Sequence, residues 1–152
     1  MKRVVDGRNA HTPRYRKVIE HIEAKGVCPF CPKNFKYHTE PVLKRRGSWF
    51  ITKNFNPYPS ARHHFIVIGT AHHEQLSDLT SKDFAYIGWL LKWAERTYRL
   101  QGGAFAMRFG NTRYTGATIV HLHCHLIVPR LEHRTVGGRR QRLARLVPFP
   151  IG

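Results

Sequence analysis

Acid is scarce in this chain. Only 9 Asp plus Glu stand against 26 Lys plus Arg among 152 residues, giving a formal charge of +17. Such a balance draws polyanions by counterion release and long-range steering, so nucleotides, RNA and DNA head the classes of partner. Cysteine is fewer still. Three residues, two of them in Cys28-x-x-Cys31, exclude a disulfide scaffold and suit reduced thiols. Long apolar runs are missing too: Arg8, His11, Arg14 and Arg16 follow the opening MKRVVD before any stretch suited to a signal peptide or a membrane span. A cytoplasmic protein is expected. What is present is a hydrophobic fraction of 41% with 12% aromatics, enough for one folded domain and against a wholly disordered chain.

Residues 1–11 read as a polar, basic arm. Thr12 and Pro13 supply an N-cap and a favoured first helical residue, and Tyr15, Val18, Ile19 and Ile22 form an apolar stripe that ends near Gly26. The prolines of CPFCP (28–32) predict a tight knuckle. Two β-forming runs around Arg46-Gly47-Ser48 predict a hairpin over 41–55, and HFIVIG (64–69) a third strand. Thr80 or Ser81 caps a long helix through about Leu100, with Phe84, Ile87, Leu91, Ala94 and Tyr98 as its core stripe. Residues 102–110 and 118–129 add two strands. This order fits an α+β domain, with two main helices against a mostly antiparallel sheet of about five strands, spanning 12–130. Residues 131–152 form a basic tail that either stays disordered until it meets a polyanion or packs through Leu143, Leu146, Val147 and Phe149.

The stretch IVHLHCHLIVP (119–129) sets His121, His123 and His125 at alternate positions in an apolar run. On a strand these imidazoles share one face, about 6–7 Å apart, while Leu122, Cys124 and Leu126 face the core. Convergent ring nitrogens of this kind serve metal binding, proton shuttling or nucleophilic attack by one ring whose neighbours fix its tautomer. The pattern His-φ-His-φ-His-φ-φ resembles the signature of the histidine triad superfamily. So do RFGNTRYTGATIVHLHCH, which is similar to the family's approach to the triad, and NFNPYPSARHHFIVIGTAHH, which is similar to its segment bearing a fourth active-site histidine.

The resemblance implies a nucleotide hydrolase, phosphorylase or transferase. In it His123 attacks an α-phosphorus to form a nucleotidyl-histidine, His125 contacts phosphate oxygens or the leaving group, and His64, ahead of His63, completes the cluster. Diadenosine polyphosphates and nucleoside phosphoramidates are the implied substrates. Thr118 and Gly116 fall where the family contacts phosphate, with Ala117 in place of the family's Gln. Asn54 or Asn56 falls where the ribose hydroxyls are held, and Arg108, Asn111 and Arg113 lie in the phosphate-approach loop. In the zinc-bearing branch the ligands beside Cys28 and Cys31 correspond to His72, with His73 as the alternative, and His121. A closed Cys2His2 site of this kind is structural. A homodimer is a family expectation. Two other readings stand beside the enzyme: a zinc-stabilised RNA-, DNA- or ribosome-binding protein, and an enzyme on adenylylated nucleic-acid ends, both using the basic arm and tail.

Overall fold

The computed structural model describes residues 4–10 and 12–149. The ends of the expected arm and tail, residues 1–3, 11 and 150–152, lie outside them. Thr12 caps the first helix, α1 (Pro13–Ala24), by accepting from the Tyr15 N–H, and Ile19 and Ile22 are its buried face. The knuckle at 28–32 runs into a short 3-10 helix, Pro32–Tyr37. Strands β1 (Val42–Arg46) and β2 (Trp49–Lys53) form the expected hairpin, closed by Gly47 at φ +54°, where a Cβ would overlap the Tyr86 ring. Strand β3 (Ala61–Gly69) is followed by helix α2 (Ser81–Thr97), with Thr80 and Asp83 forming a reciprocal capping box. Strand β4 (Ala104–Met107), a one-turn helix α3 (Thr112–Thr115) and strand β5 (His123–Pro129) complete the domain.

The five-stranded sheet runs β1-β2-β3-β5-β4, antiparallel throughout, which is the α+β architecture read from the sequence. Its two faces are covered differently. Trp49, Ile51, Phe65, Val67, Cys124 and Leu126 pack under α2 against Ile87, Leu90 and Ala94. Asp83 ties that helix down by accepting from the Trp49 indole N–H at 2.8 Å. Phe50, Ile66 and Ile68 share the other face with Ile19, Ile22, Cys28, Phe30 and Ile119. Because strand side chains alternate, this second face is also the one that carries His64, His123 and His125.

Two details differ from the sequence expectation. Phe84 sits at the edge of the α2 stripe and is 51% exposed, whereas Leu90, outside the expected stripe, is fully buried. The strand expected over 118–129 begins only at His123, because its neighbour β3 stops at Gly69, one residue past the Ile68–His123 pair. Residues 119–122 are held otherwise: Ile119 bridges Val5, the Val120 N–H donates to Val4 O, and the Leu122 N–H donates to His73 O. In the arm, Val5 and Asp6 are fully buried, and the Asp6 carboxylate accepts from Arg8 and from the Thr112 hydroxyl. Arg8 holds that carboxyl well below the usual range. In the tail, Leu131–Val136 (β6) and Arg139–Ala144 (β7) form an antiparallel hairpin. It turns on Gly137-Gly138, both at positive φ, as a two-residue hairpin turn requires. Leu146 is 82% exposed, so it takes no part in packing. Among the described residues no helix is long and apolar enough to cross a membrane.

Candidate active site and metal cluster

His64 on β3 and His125 on β5 meet across the two central strands, with His64 Nε2 2.8 Å from His125 Nδ1. Their tautomers follow from their partners. The backbone N–H of Tyr58 donates to His64 Nδ1 at 3.2 Å, so the proton of His64 is on Nε2 and is donated to His125. His125 therefore accepts at Nδ1 and carries its own proton on Nε2. That N–H is buried and finds no hydrogen-bond acceptor among the described residues, a donor held ready for an incoming oxygen. Asn54 accepts at Oδ1 from the Asn56 N–H, which leaves its amide nitrogen, itself a donor, 3.2 Å from His64 Nε2 and open to an acceptor in the site.

His123 is fixed from the other side. Its Nδ1 lies 2.8 Å from the carbonyl oxygen of His121; a carbonyl can only accept, so the proton is on Nδ1 and the Nε2 lone pair is left free. Burial, with Arg108 close by, holds His123 and His64 at about 4, and burial beside His123, His64 and Arg108 holds His125 well below its ordinary value. All three rings are neutral at pH 7. The His123 and His125 centroids are 4.8 Å apart, and Phe30 meets His123 edge-on at 5.0 Å. Beside them lies a cavity of about 50 Å³, lined by Asn54, Asn56, Arg108, Thr118, His123 and His125 and walled by Tyr15, Phe30, Phe55 and Tyr58. Its volume suits a phosphoryl-sized group, below the several hundred Å³ of a typical small-molecule site.

The sequence-nominated residues divide accordingly. His63 turns away, stacking on Phe65 and leaning on Tyr98. Asn111 caps α3 and lines a separate cavity with Arg8, Gln75 and Arg113, so neither Asn111 nor Arg113 joins the histidines. Gly116 is the left-handed C-cap of α3, at φ 62°, and acts on the approach loop's path. The buried Ala117 is engaged through its backbone, its carbonyl accepting from the Asn9 amide at 2.9 Å. Tyr58, Phe30 and Phe55 escaped the reading because aromatic residues in a loop carry no periodic signal; proximity to CPFCP and NFNPYPS was the available hint.

A second cluster stands at the start of the triad. One ligand atom each from Cys28, Cys31, His72 and His121 all lie within 4.8 Å of one another. His121 Nδ1 is 3.4 Å from Cys28 Sγ, and His72 Nδ1 is 3.4 Å from Cys31 Sγ. His121 donates its Nε2–H to Gly69 O at 3.0 Å, and His72 Nε2 is 3.0 Å from the Glu74 carboxylate. Each imidazole thus has its outer N–H engaged by oxygen and its inner lone pair aimed at the sulfurs, the outer-shell arrangement found around metal-ligating histidines. Burial pushes the Cys28 thiol up and holds His121 at about 3, so without a cation the group is a thiol beside a neutral imidazole. The donor set fits a tetrahedral zinc ion. His73 is engaged differently, through its carbonyl on Leu122.

Comparison with known proteins places the family and the fold. Residues 27–141 match the family described as scavenger mRNA decapping enzyme C-term binding. A histidine triad protein from Clostridium difficile superposes with a TM-score of 0.54 at 18% identity, over 72% of this chain and 95% of that one. A zinc-bound histidine triad family protein from Mycobacterium smegmatis gives 0.51 at 21%, over 68% and 74%. A histidine triad nucleotide-binding protein from Candida albicans gives 0.54 at 14%, over 80% and 85%. At these identities the likeness is one of fold. No curated protein matches the chain. With the family match spanning most of the chain, and with the imidazole cluster and the Cys/His cluster on one sheet face, the chain belongs to the histidine triad superfamily, within its scavenger decapping C-terminal family.

Proposed function

We propose that this protein is a nucleotide hydrolase or transferase that works through a nucleotidyl-histidine on His123. The observation that carries the reading is the bond from His123 Nδ1 to the His121 carbonyl, which leaves Nε2 as a neutral nucleophile lining a phosphoryl-sized cavity. Attack of Nε2 on the α-phosphorus forms the N–P bond and breaks the P–O or P–N bond to the leaving group, which departs with the electron pair. The ring gains positive charge as it attacks, and the Nδ1–H···O=C bond strengthens in step. His125 Nε2–H and Arg108 face the phosphate oxygens. Water or another acceptor then attacks phosphorus, the N–P bond breaks, and the lone pair returns to Nε2. Thr118 and Asn56 line the same cavity and are assigned to phosphate and ribose. The base and sugar extend through the aromatic mouth formed by Tyr15, Phe30 and Phe55.

The substrate class is a diadenosine polyphosphate or a nucleoside phosphoramidate. The scavenger decapping family name adds cap-like dinucleotides, which share the bridging polyphosphate of the first class. Zinc at Cys28, Cys31, His72 and His121 would be structural, its four positions all filled by protein. A second copy of the chain is expected at the free edge of β4, where Phe105 is 67% exposed and an apolar groove of about 420 Å³ runs beside Leu91 and Leu100.

The test is labelling with an α-labelled diadenosine polyphosphate followed by acid lability of the adduct. Wild type should give acid-labile label and turnover, and His123→Asn neither. Label that persists in His123→Asn, or turnover with no trappable adduct, would refute the mechanism. A second reading, action on or binding to nucleic-acid ends, is favoured by the β6–β7 hairpin, where Arg134, Arg139, Arg140 and Arg142 are all exposed.

A further inference from the structure

One aromatic contact of the site has no part in that mechanism. Beyond β7 the chain folds back toward the sheet: the Arg145 N–H donates to Arg130 O at 2.7 Å, and the Arg134 guanidinium donates to Ala144 O at 2.6 Å. The four residues after Arg145 bring the half-buried Phe149 to the histidine cluster. Arg108 Cζ lies 4.0 Å from the centre of the Phe149 ring. The same ring meets His125 at 5.2 Å and Tyr58 at 6.1 Å, edge-on in both cases.

We infer that Phe149 is a positioning residue of the active site: it is the platform on which the Arg108 guanidinium lies against the phosphate site, so the basic hairpin and its tail complete the pocket. The inference rests on the phosphate site proposed above and deepens it. Arg108 stands just past the end of β4 on a long side chain with many rotamers, so the plane of its donors depends on what packs against it. A flat π-face beneath it fixes the plane of its donors before substrate arrives. Phenylalanine also offers no acceptor to the His125 Nε2–H, which stays available to a phosphate oxygen. A hydroxyl or carboxylate at this place would compete for both groups.

The experiment is a double-mutant cycle on Phe149 and Arg108, read by calorimetric AMP binding and by steady-state kinetics with diadenosine tetraphosphate. Phe149→Ala should weaken AMP binding and lower kcat/KM by about 2- to 30-fold, the range of a partly desolvated cation–π contact. The loss should fall more on KM than on kcat. Phe149→Leu, which keeps bulk without a π-face, should recover little, and Phe149→Trp most of it. In an Arg108→Ala background Phe149→Ala should cost little further. Wild-type values in Phe149→Ala, equal rescue by Leu and Trp, or the same fold-loss with and without Arg108 would each overturn the assignment. Absence of turnover with AMP binding intact would sink the nucleotidyl-histidine reading and leave Phe149 to be judged by binding alone. Absence of AMP binding by wild type would remove the phosphate site and this inference with it.

Discussion

Metal removal from the Cys28, Cys31, His72 and His121 cluster should be visible as a large, ligand-specific loss of thermal stability. The ligand atoms already lie within 4.8 Å of one another, and both imidazoles have their outer nitrogens engaged, so little ordering remains when zinc enters. At free zinc a thousandfold above Kd, linkage gives about 4 kcal/mol. For a chain of 152 residues each kcal/mol moves Tm by about 2–4 °C, so the expected rise over the chelated protein is roughly 8–16 °C. The assay is a melt with zinc buffered against a chelator, with bound metal measured by elemental analysis. Cys31 is only half-buried, so Cys31→Ser should change the chelated protein by roughly 0.5 kcal/mol or less while abolishing the zinc-dependent rise. His72→Ala should do the same, and His73→Ala should keep the rise. A rise that survives Cys31→Ser and His72→Ala, or purified protein with no metal and no response to zinc, would refute the assignment.

Acid should destabilise the fold in a defined window. His64 is held at about 4 against 6.5 by burial, so between those values the native state binds fewer protons than the unfolded chain. Its contribution is complete above about pH 6.5 and lost as pH falls through 4. The gap is worth about 3 kcal/mol, and denaturant melts at pH 7 and 4.5 should show a smaller fall in His64→Gln than in wild type. If the hairpin meets single-stranded RNA, Arg139→Glu with Arg140→Glu should flatten the dependence of log K on log salt by about 1.4 or more, and an unchanged slope would exclude that face. Phe105→Asp should shift the protein to monomer in light scattering if a second copy covers β4. The same mass for wild type and variant would remove that interface.

Legibility from the sequence depended on whether a local rule or a long-range contact decided the outcome. The caps of α1 and α2, the Gly47 hairpin and the alternating strands obey local rules, and they appear where those rules place them. The end of the triad strand does not, because β5 starts where its neighbour β3 runs out, a fact of pairing that lies more than fifty residues away. The tail hairpin carries the Gly137-Gly138 turn in plain sight, but its strands, Leu-Glu-His-Arg-Thr-Val and Arg-Arg-Gln-Arg-Leu-Ala, show no apolar alternation. The missing apolar period hid them. His64 over His63 and His72 over His73 could be ordered only by the resemblance, since neighbours in sequence are separated by the side of the strand or loop on which they fall. Phe149 was legible only as one of four apolar residues through which the tail could pack; nothing local in an irregular basic segment pointed it at the histidines.

The two clusters meet in one residue, and that gives the metal a reach beyond stability. His121 turns Nδ1 to the cysteines, anchors Nε2–H on Gly69, and offers its carbonyl to His123 Nδ1–H at 2.8 Å. The ring that would ligate zinc and the carbonyl that fixes the tautomer of the proposed nucleophile belong to the same residue, just outside the last rung of the sheet. Among the described residues no strand partner holds it there. Its placement depends on the Gly69 bond, the Leu122 N–H on His73 and the Cys/His cluster. Loosening that cluster should therefore release the His121 carbonyl before it disturbs β5, whose ladder to β3 and β4 runs from His123 onward. Catalytic loss on chelation should precede unfolding, with His123 still in place on its strand and its proton free to move between the two ring nitrogens.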